Sequence, residues 1–137
     1  MISRLFFVFL VVSSSPVFAE NWRCAVDLIF DSDKNGSFVN YDLRLQIKNT
    51  LGRDIKAVSV IYKDIEGNVI GNGSLDCSKN STTVVKPGSF GECSRSLQKV
   101  DSSFVEMLGS DKWTEIVNFQ LEKFSSVHFC EVIGFSY

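Results

Sequence analysis

The chain has 137 residues, 45 % of them hydrophobic, with 14 basic side chains against 16 acidic ones and a formal net charge of −2. That length suits a single domain able to bury one core. The mildly acidic balance excludes nucleic acid as a partner, because phosphate backbones call for concentrated positive charge.

The first segment reads as an address rather than as structure. Arg4 supplies a positive charge, "LFFVFLVV" an apolar stretch, and "SSSPVFA" a helix-breaking run ending in small Ala19. This is the order of a secretory signal peptide, so residues 1–19 are expected to be removed. The apolar stretch is far shorter than the roughly 20 residues that cross a bilayer. Loss of Arg4 with the leader leaves residues 20–137 as a single β domain with 13 basic side chains against 16 acidic ones, and no later segment suggests membrane insertion.

Beyond the leader the hydrophobic period is mostly two. In "WRCAVDLIF", Trp22, Cys24, Val26, Leu28 and Phe30 share one face of a strand. "DSDKNGS" follows, with Asp31, Asp33 and Asn35 at alternate positions and then Gly36, the opening of a calcium loop. Asp42 would close that loop, where Glu is preferred, and the entering segment alternates as a strand where a calcium hand needs a helix. The stretch is therefore expected to be a hairpin loop, with Asp42 pointing outward beside Arg44. Calcium at Asp31, Asp33, Asn35 and Asp42 is the minor alternative; no other metal and no cofactor is expected.

"YDLRLQIKN" alternates cleanly, with Tyr41, Leu43, Leu45 and Ile47 on the buried side. "IKAVSVIYKDI" places Val58, Val60 and Tyr62 on its better face and is expected to be a central strand. A hairpin turn at Glu66-Gly67-Asn68 follows, because Gly and Asn tolerate positive φ. Gly71 and Gly73 in the returning strand suggest a bulge or an edge. "STTVVKPGSFGEC" reads as two short strands broken at Pro87-Gly88. "DSSFVEMLGS" reads as a short helix, with Asp101 or Ser102 as N-cap and a stop at Gly109. Two closing strands are expected, "WTEIVNFQLEKF" and "VHFCEVIGFSY", around a Ser125-Ser126 turn. The whole predicts a mainly β fold: an antiparallel immunoglobulin-like β-sandwich of seven or eight strands with one short helix.

The cysteines Cys24, Cys77, Cys93 and Cys130 all lie beyond the leader. An even count in an exported chain predicts two disulfides. Cys77–Cys93 would close a local loop and leave Cys24 with Cys130, stapling first strand to last. Cys24 lies on the apolar face of its strand, whereas Cys130 shares parity with His128 and Val132, not with Phe129, Ile133 and Phe135. Either a bulge re-aims one cysteine or the pairing differs.

The middle of the chain carries a resemblance. Asn49-Thr50, Val58 to Tyr62, Asp64, Gly67, Val69, Gly71 and Pro87-Gly88 follow the run of the exported immunoglobulin-like domains of the FxLYD type. The match covers about 45 residues of turn and core positions. It implies a non-enzymatic module of bacterial envelope proteins, in the periplasm or secreted. The added cysteines and the helix near 101–109 depart from that pattern.

Little in the sequence supports catalysis. His128 is the only histidine, and within an apolar strand it reads as a packed or rim side chain. The carboxylate pairs Asp31/Asp33 and Asp111/Glu115 are ordinary for surface loops. Three Asn-x-Ser/Thr triplets, at Asn35, Asn72 and Asn80, read as loop markers. Trp113 reads as core or as a binding anchor. The expectation is a non-catalytic domain that binds a protein partner: an inhibitor or immunity protein against an envelope-acting toxin or enzyme, or an accessory module of an envelope assembly that pairs through a free strand edge.

Overall fold

A computed structural model describes residues 21–78 and 84–137. The signal peptide expected over 1–19 and the Asn80-Ser81-Thr82 triplet lie outside the described residues. The elements in chain order are β1 (Asn21–Asp33), β2 (Gly36–Lys48), β3 (Ala57–Lys63), β4 (Val69–Asp76), β5 (Phe90–Asp101), α1 (Ser103–Leu108), α2 (Ser110–Ser125) and β6 (Phe129–Ser136). The described strands are all antiparallel and close into one sheet in the order β1-β2-β5-β4-β3-β6. Among the described residues six strands stand where seven or eight were expected and two helices where one was, and the pairing makes one closed sheet.

The closure is uneven, and this shapes the molecule. β2 pairs with β1 and with β5 over most of its length, from Asp33↔Gly36 to Cys24↔Leu45 on one side and from Phe38↔Asp101 to Lys48↔Phe90 on the other. β3 likewise pairs along both β4 and β6. The two triplets meet at narrow seams. β1 meets β6 only over Asn21–Arg23, and β4 meets β5 only at Asp76↔Ser94. A disulfide crosses each seam: Cys24–Cys130 joins β1 to β6, and Cys77–Cys93 joins the end of β4 to β5.

The alternation of β2 and β3 is realised as read. Tyr41, Leu43, Leu45, Val58 and Val60 are fully buried, and Ile47 and Tyr62 nearly so. All of these except Tyr41, together with Ile55, Leu75, Val85 and the four cysteines, fill the barrel. Each such side chain contributes about 1.5–3 kcal/mol by leaving water. The glycines of β4 are spacers. Gly71 pairs with Tyr62, and a Cβ there would stand 2.2 Å from the Tyr62 phenol oxygen, so its absence makes room for the ring.

The parity conflict at Cys130 is resolved by a bulge. β3–β6 pairing runs Tyr62↔Cys130 and Val60↔Val132, then slips between Ser59 and Val60, so that Val58 faces Phe135. Ile133 is the extra residue and is left 58 % exposed. The bulge lets Cys130, Val132 and Phe135 share the inner side, and Cys130 meets Cys24.

Trp113–Phe124 is a helix, correcting the strand read there. The apolar positions 117, 119 and 121 alternate, but Trp113, Ile116, Val117 and Phe124 also recur at helical spacing. The helical stripe wins because the long β1–β2 hairpin offers it a second core. Val117 and Phe124 pack on Val39, Tyr41 and Val100, with Leu28, Trp113 and Ile116 at the margin, while Phe119 is 65 % exposed. Tyr41 donates its hydroxyl to the Val117 carbonyl oxygen at 2.7 Å, and burial raises the phenol's pKa above its ordinary value. Asp111 in the first turn and Lys123 in the last match the helix dipole. The short helix expected near 101–109 is α1. Its N-cap is Ser102, whose side chain makes no capping hydrogen bond; Asp101 just before it accepts from the Ser103 backbone N–H at 3.1 Å, and Gly109, at φ +89°, separates α1 from α2. β5, polar in its second half ("SRSLQKVD"), is longer than read because β2 supplies its partner.

Candidate functional site

The "DSDKNGS" stretch is a tight hairpin. Asp33 pairs with Gly36 across a turn at Lys34-Asn35, and Gly36 takes φ +116°. The Asp33 carboxylate accepts from the Asn35 backbone N–H at 2.8 Å and from Lys99 Nζ at 3.2 Å; these contacts, the backbone one first, hold its pKa low. Asp31 accepts from the Ser32 N–H at 2.8 Å. Asp42 pairs with Asp27, well up the strand from Asp31. It shares the outer face with Asn40, which donates to it at 3.0 Å, but at 8 % exposure it is covered rather than solvated as expected. The cover comes from neighbours crowded at the β2–β5 irregularity between Tyr41 and Asp42, where Ser96 also donates to Asn40 at 2.7 Å. Asp31, Asp33, Asn35 and Asp42 are therefore not brought together. Among the described residues no group of three or more His, Cys, Asp or Glu stands close enough to hold a metal ion.

His128 lies beside the β1–β6 seam. Its backbone N–H donates to the Lys63 carbonyl oxygen at 2.8 Å, and its ring meets Phe129 edge-on at 4.7 Å. It lines a groove of about 390 Å³ with Arg23, Arg44, Gln46 and Glu92. Arg44 there faces two carboxylates, Asp27 at 3.2 Å and Glu92 at 3.8 Å. Among the described residues no carboxylate hydrogen-bonds the imidazole. Of the other carboxylates considered, Glu115 pairs with Lys112 at 2.6 Å on the exposed face of α2.

The cleft that sequence reasoning did not foresee is at the helical end. α1, α2 and the start of β2 enclose about 530 Å³, lined by Ser37, Ser102, Val105, Glu106, Trp113 and Thr114. Trp113 sits half-buried between this cleft and the second core. Its indole Nε1 is buried without a hydrogen-bond partner. Elsewhere on the two helices Met107 is 78 % exposed, Leu108 52 % and Phe119 65 %. The signal was the helical spacing of Trp113, Ile116 and Val117, which the overlapping alternation concealed.

Two polar residues of the middle of the chain, Asn49 and Asp64, prove to be structural hubs. Asn49, fully buried, donates through Nδ2 to the carbonyl oxygens of Arg53 and Val85, both at 2.8 Å, and accepts at Oδ1 from the Leu51 N–H at 2.8 Å. Its backbone donates to the Ser89 carbonyl oxygen at 2.9 Å and accepts from the Gly88 N–H at 2.7 Å, joining the loop after β2 to the Pro87-Gly88 corner. Asp64 accepts the N–H groups of Glu66 and Asn68 and the Asn68 side-chain amide, all within 2.9 Å, which lowers its pKa and shapes the turn around Gly67, at φ +88°. Among the described residues no helix is long and apolar enough to cross a membrane. Comparison of the chain with protein-family models, curated proteins and solved structures finds no match.

Proposed function

We propose that the protein is an exported, non-catalytic protein-binding domain of the periplasm, an inhibitor or immunity protein that covers the working surface of an envelope-acting toxin or enzyme. The observation that carries this reading is the helical end: a cleft holding Trp113, on helices that also expose Met107, Leu108 and Phe119. Aromatic and methionine side chains in apolar clefts are the residue types that anchor protein interfaces. The two disulfides add support twice. They suit an oxidising compartment, and by bracing both seams they present a rigid surface that loses little entropy on binding.

A second reading, an accessory module of an envelope assembly that pairs through a strand edge, is favoured by a different observation: among the described residues β6 pairs with β1 only over Asn21–Arg23. We also propose that the kinship with FxLYD-type immunoglobulin-like domains is local, resting on the β3–β4 hairpin and the Asn49 junction with the Pro87-Gly88 corner.

The test uses residues 20–137 with both disulfides formed as bait for exported proteins of the producing organism. Phe119→Lys with Met107→Lys should weaken capture of the partner at least about tenfold, as loss of interface anchors does. Being exposed, they should leave Tm within about 2 °C. Equal capture by the variant would refute the helical-face reading. Loss of the partner's activity in the complex indicates an inhibitor, and unchanged activity an assembly module.

A further inference from the structure

We propose that the cleft between α1 and α2 receives one lysine side chain of the partner protein, with the Trp113 indole as its wall and Glu106 as its counter-ion. This rests on the protein-binding reading above and adds the chemistry of the group that enters the cleft. The cleft is open to solvent: on its walls Ser37, Glu106 and Thr114 are exposed, and Val105 and Trp113 are half-buried. Its volume, about 530 Å³, is that of an ordinary ligand cleft.

The charge there has one sign and is unanswered. Among the described residues Glu106 is the one ionisable side chain lining the cleft, and it enters no ion pair. From residue 101 to 111 the chain carries three acids, Asp101, Glu106 and Asp111, and no base. The next basic residues on either side are engaged elsewhere, Lys99 with Asp33 at 3.2 Å and Lys112 with Glu115 at 2.6 Å.

The hydroxyls select for the same sign. Ser102 donates to the Asn35 carbonyl oxygen at 3.4 Å, and Thr114 donates to the Ser110 carbonyl oxygen at 3.0 Å. With their protons so placed, both oxygens remain in the cleft wall as acceptors. A carboxylate or phosphate here would face lone pairs and Glu106. An ammonium group, all donor and no acceptor, finds a matching wall. The start of α2, whose dipole would favour an anion, is answered by Asp111 in its first turn. An ammonium over an indole also gains cation–π attraction, and Val105 and Trp113 line a path for the methylene stem. One carboxylate and separate hydroxyl oxygens suit the compact head of lysine better than the planar fork of arginine.

The probe is a blocked peptide with one lysine between two leucines, and the control is the same peptide acetylated on that lysine, which removes the charge and keeps the stem. Both are titrated into residues 20–137 and followed by NMR. The lysine peptide should shift the Trp113 indole and the Glu106 and Thr114 amides, and acetylation should weaken it about tenfold. Glu106→Gln should weaken the lysine peptide about threefold and leave the acetylated one unchanged. Glu106 is exposed, so the substitution should not disturb folding. No shift at Trp113, equal affinity for the two peptides, or equal weakening of both by Glu106→Gln overturns the inference. Glu106→Lys should weaken capture of the natural partner at least about tenfold, by setting like charges together. If that variant captures the partner fully while Phe119→Lys with Met107→Lys loses it, the lysine cleft fails and the protein-binding reading stands.

Discussion

Replacing Asn49 by Ala removes one side chain and three hydrogen bonds from a fully buried site. Each such bond is worth about 1 kcal/mol net. The partners left behind differ. The Val85 carbonyl oxygen keeps the Ile55 N–H at 3.0 Å, whereas the Leu51 N–H and the Arg53 carbonyl oxygen are only part-buried and can turn to water. The orphan penalty is therefore small, and the expected loss is about 3 kcal/mol. Over residues 20–137 the unfolding entropy is roughly 0.25 kcal/mol per kelvin, so Tm should fall by about 12 °C. Asn49→Asp should be worse at neutral pH, because a carboxylate cannot donate to the two carbonyl oxygens that Nδ2 now serves. Facing them, its pKa would be raised above the unfolded value of about 3.9, so the deficit relative to Asn grows as pH rises through and above that value and shrinks in acid. Urea unfolding of the three proteins at pH 7 and pH 3 measures both effects. A loss below about 1 kcal/mol for Asn49→Ala would refute the claim that this residue joins the β2 exit to the Pro87-Gly88 corner.

The two seams differ in what their disulfides constrain. Cys24 and Cys130 are separated by 106 residues and Cys77 and Cys93 by 16, so paired Cys→Ala replacements should cost about 4.8 and about 3 kcal/mol by chain entropy. Urea midpoints in the reverse order would contradict that account. Tyr41→Phe should lose about 1 kcal/mol in the same assay, because it frees one buried anchor between β2 and α2. Asp64 has a lowered pKa in the folded chain. Its contribution is present above the unfolded value of about 3.9 and is lost as pH falls through the folded value, so Asp64→Asn should flatten the fall of Tm below about pH 4. An unchanged slope would remove Asp64 from the acid response.

Much of the barrel was legible because β2 and β3 alternate without interruption, and because Gly67 and Pro87-Gly88 mark where the chain must reverse. The helix α2 was not, since Val117, Phe119 and Leu121 satisfy a strand while Trp113, Ile116, Val117 and Phe124 satisfy a helix. Only the presence of a second core above Val39, Tyr41 and Val100 decides between them. The closing bulge at Ile133 was equally hidden, because a one-residue slip inverts parity without changing composition. Of the site, the cysteines were visible from their count, and the calcium-like spacing of Asp31, Asp33 and Asn35 falls where β1 turns into β2, with Asp42 further up the strand opposite Asp27. The cleft around Trp113 joins residues from β2, α1 and α2 and leaves no contiguous trace in the sequence.

The central claim is that this domain acts by covering a partner, and one measurement reaches it most directly. The captured partner's activity is titrated with residues 20–137, both disulfides formed. The account predicts stoichiometric suppression that Phe119→Lys with Met107→Lys abolishes at unchanged Tm. A partner that keeps full activity in a saturated complex, or suppression that survives the double substitution, would contradict it.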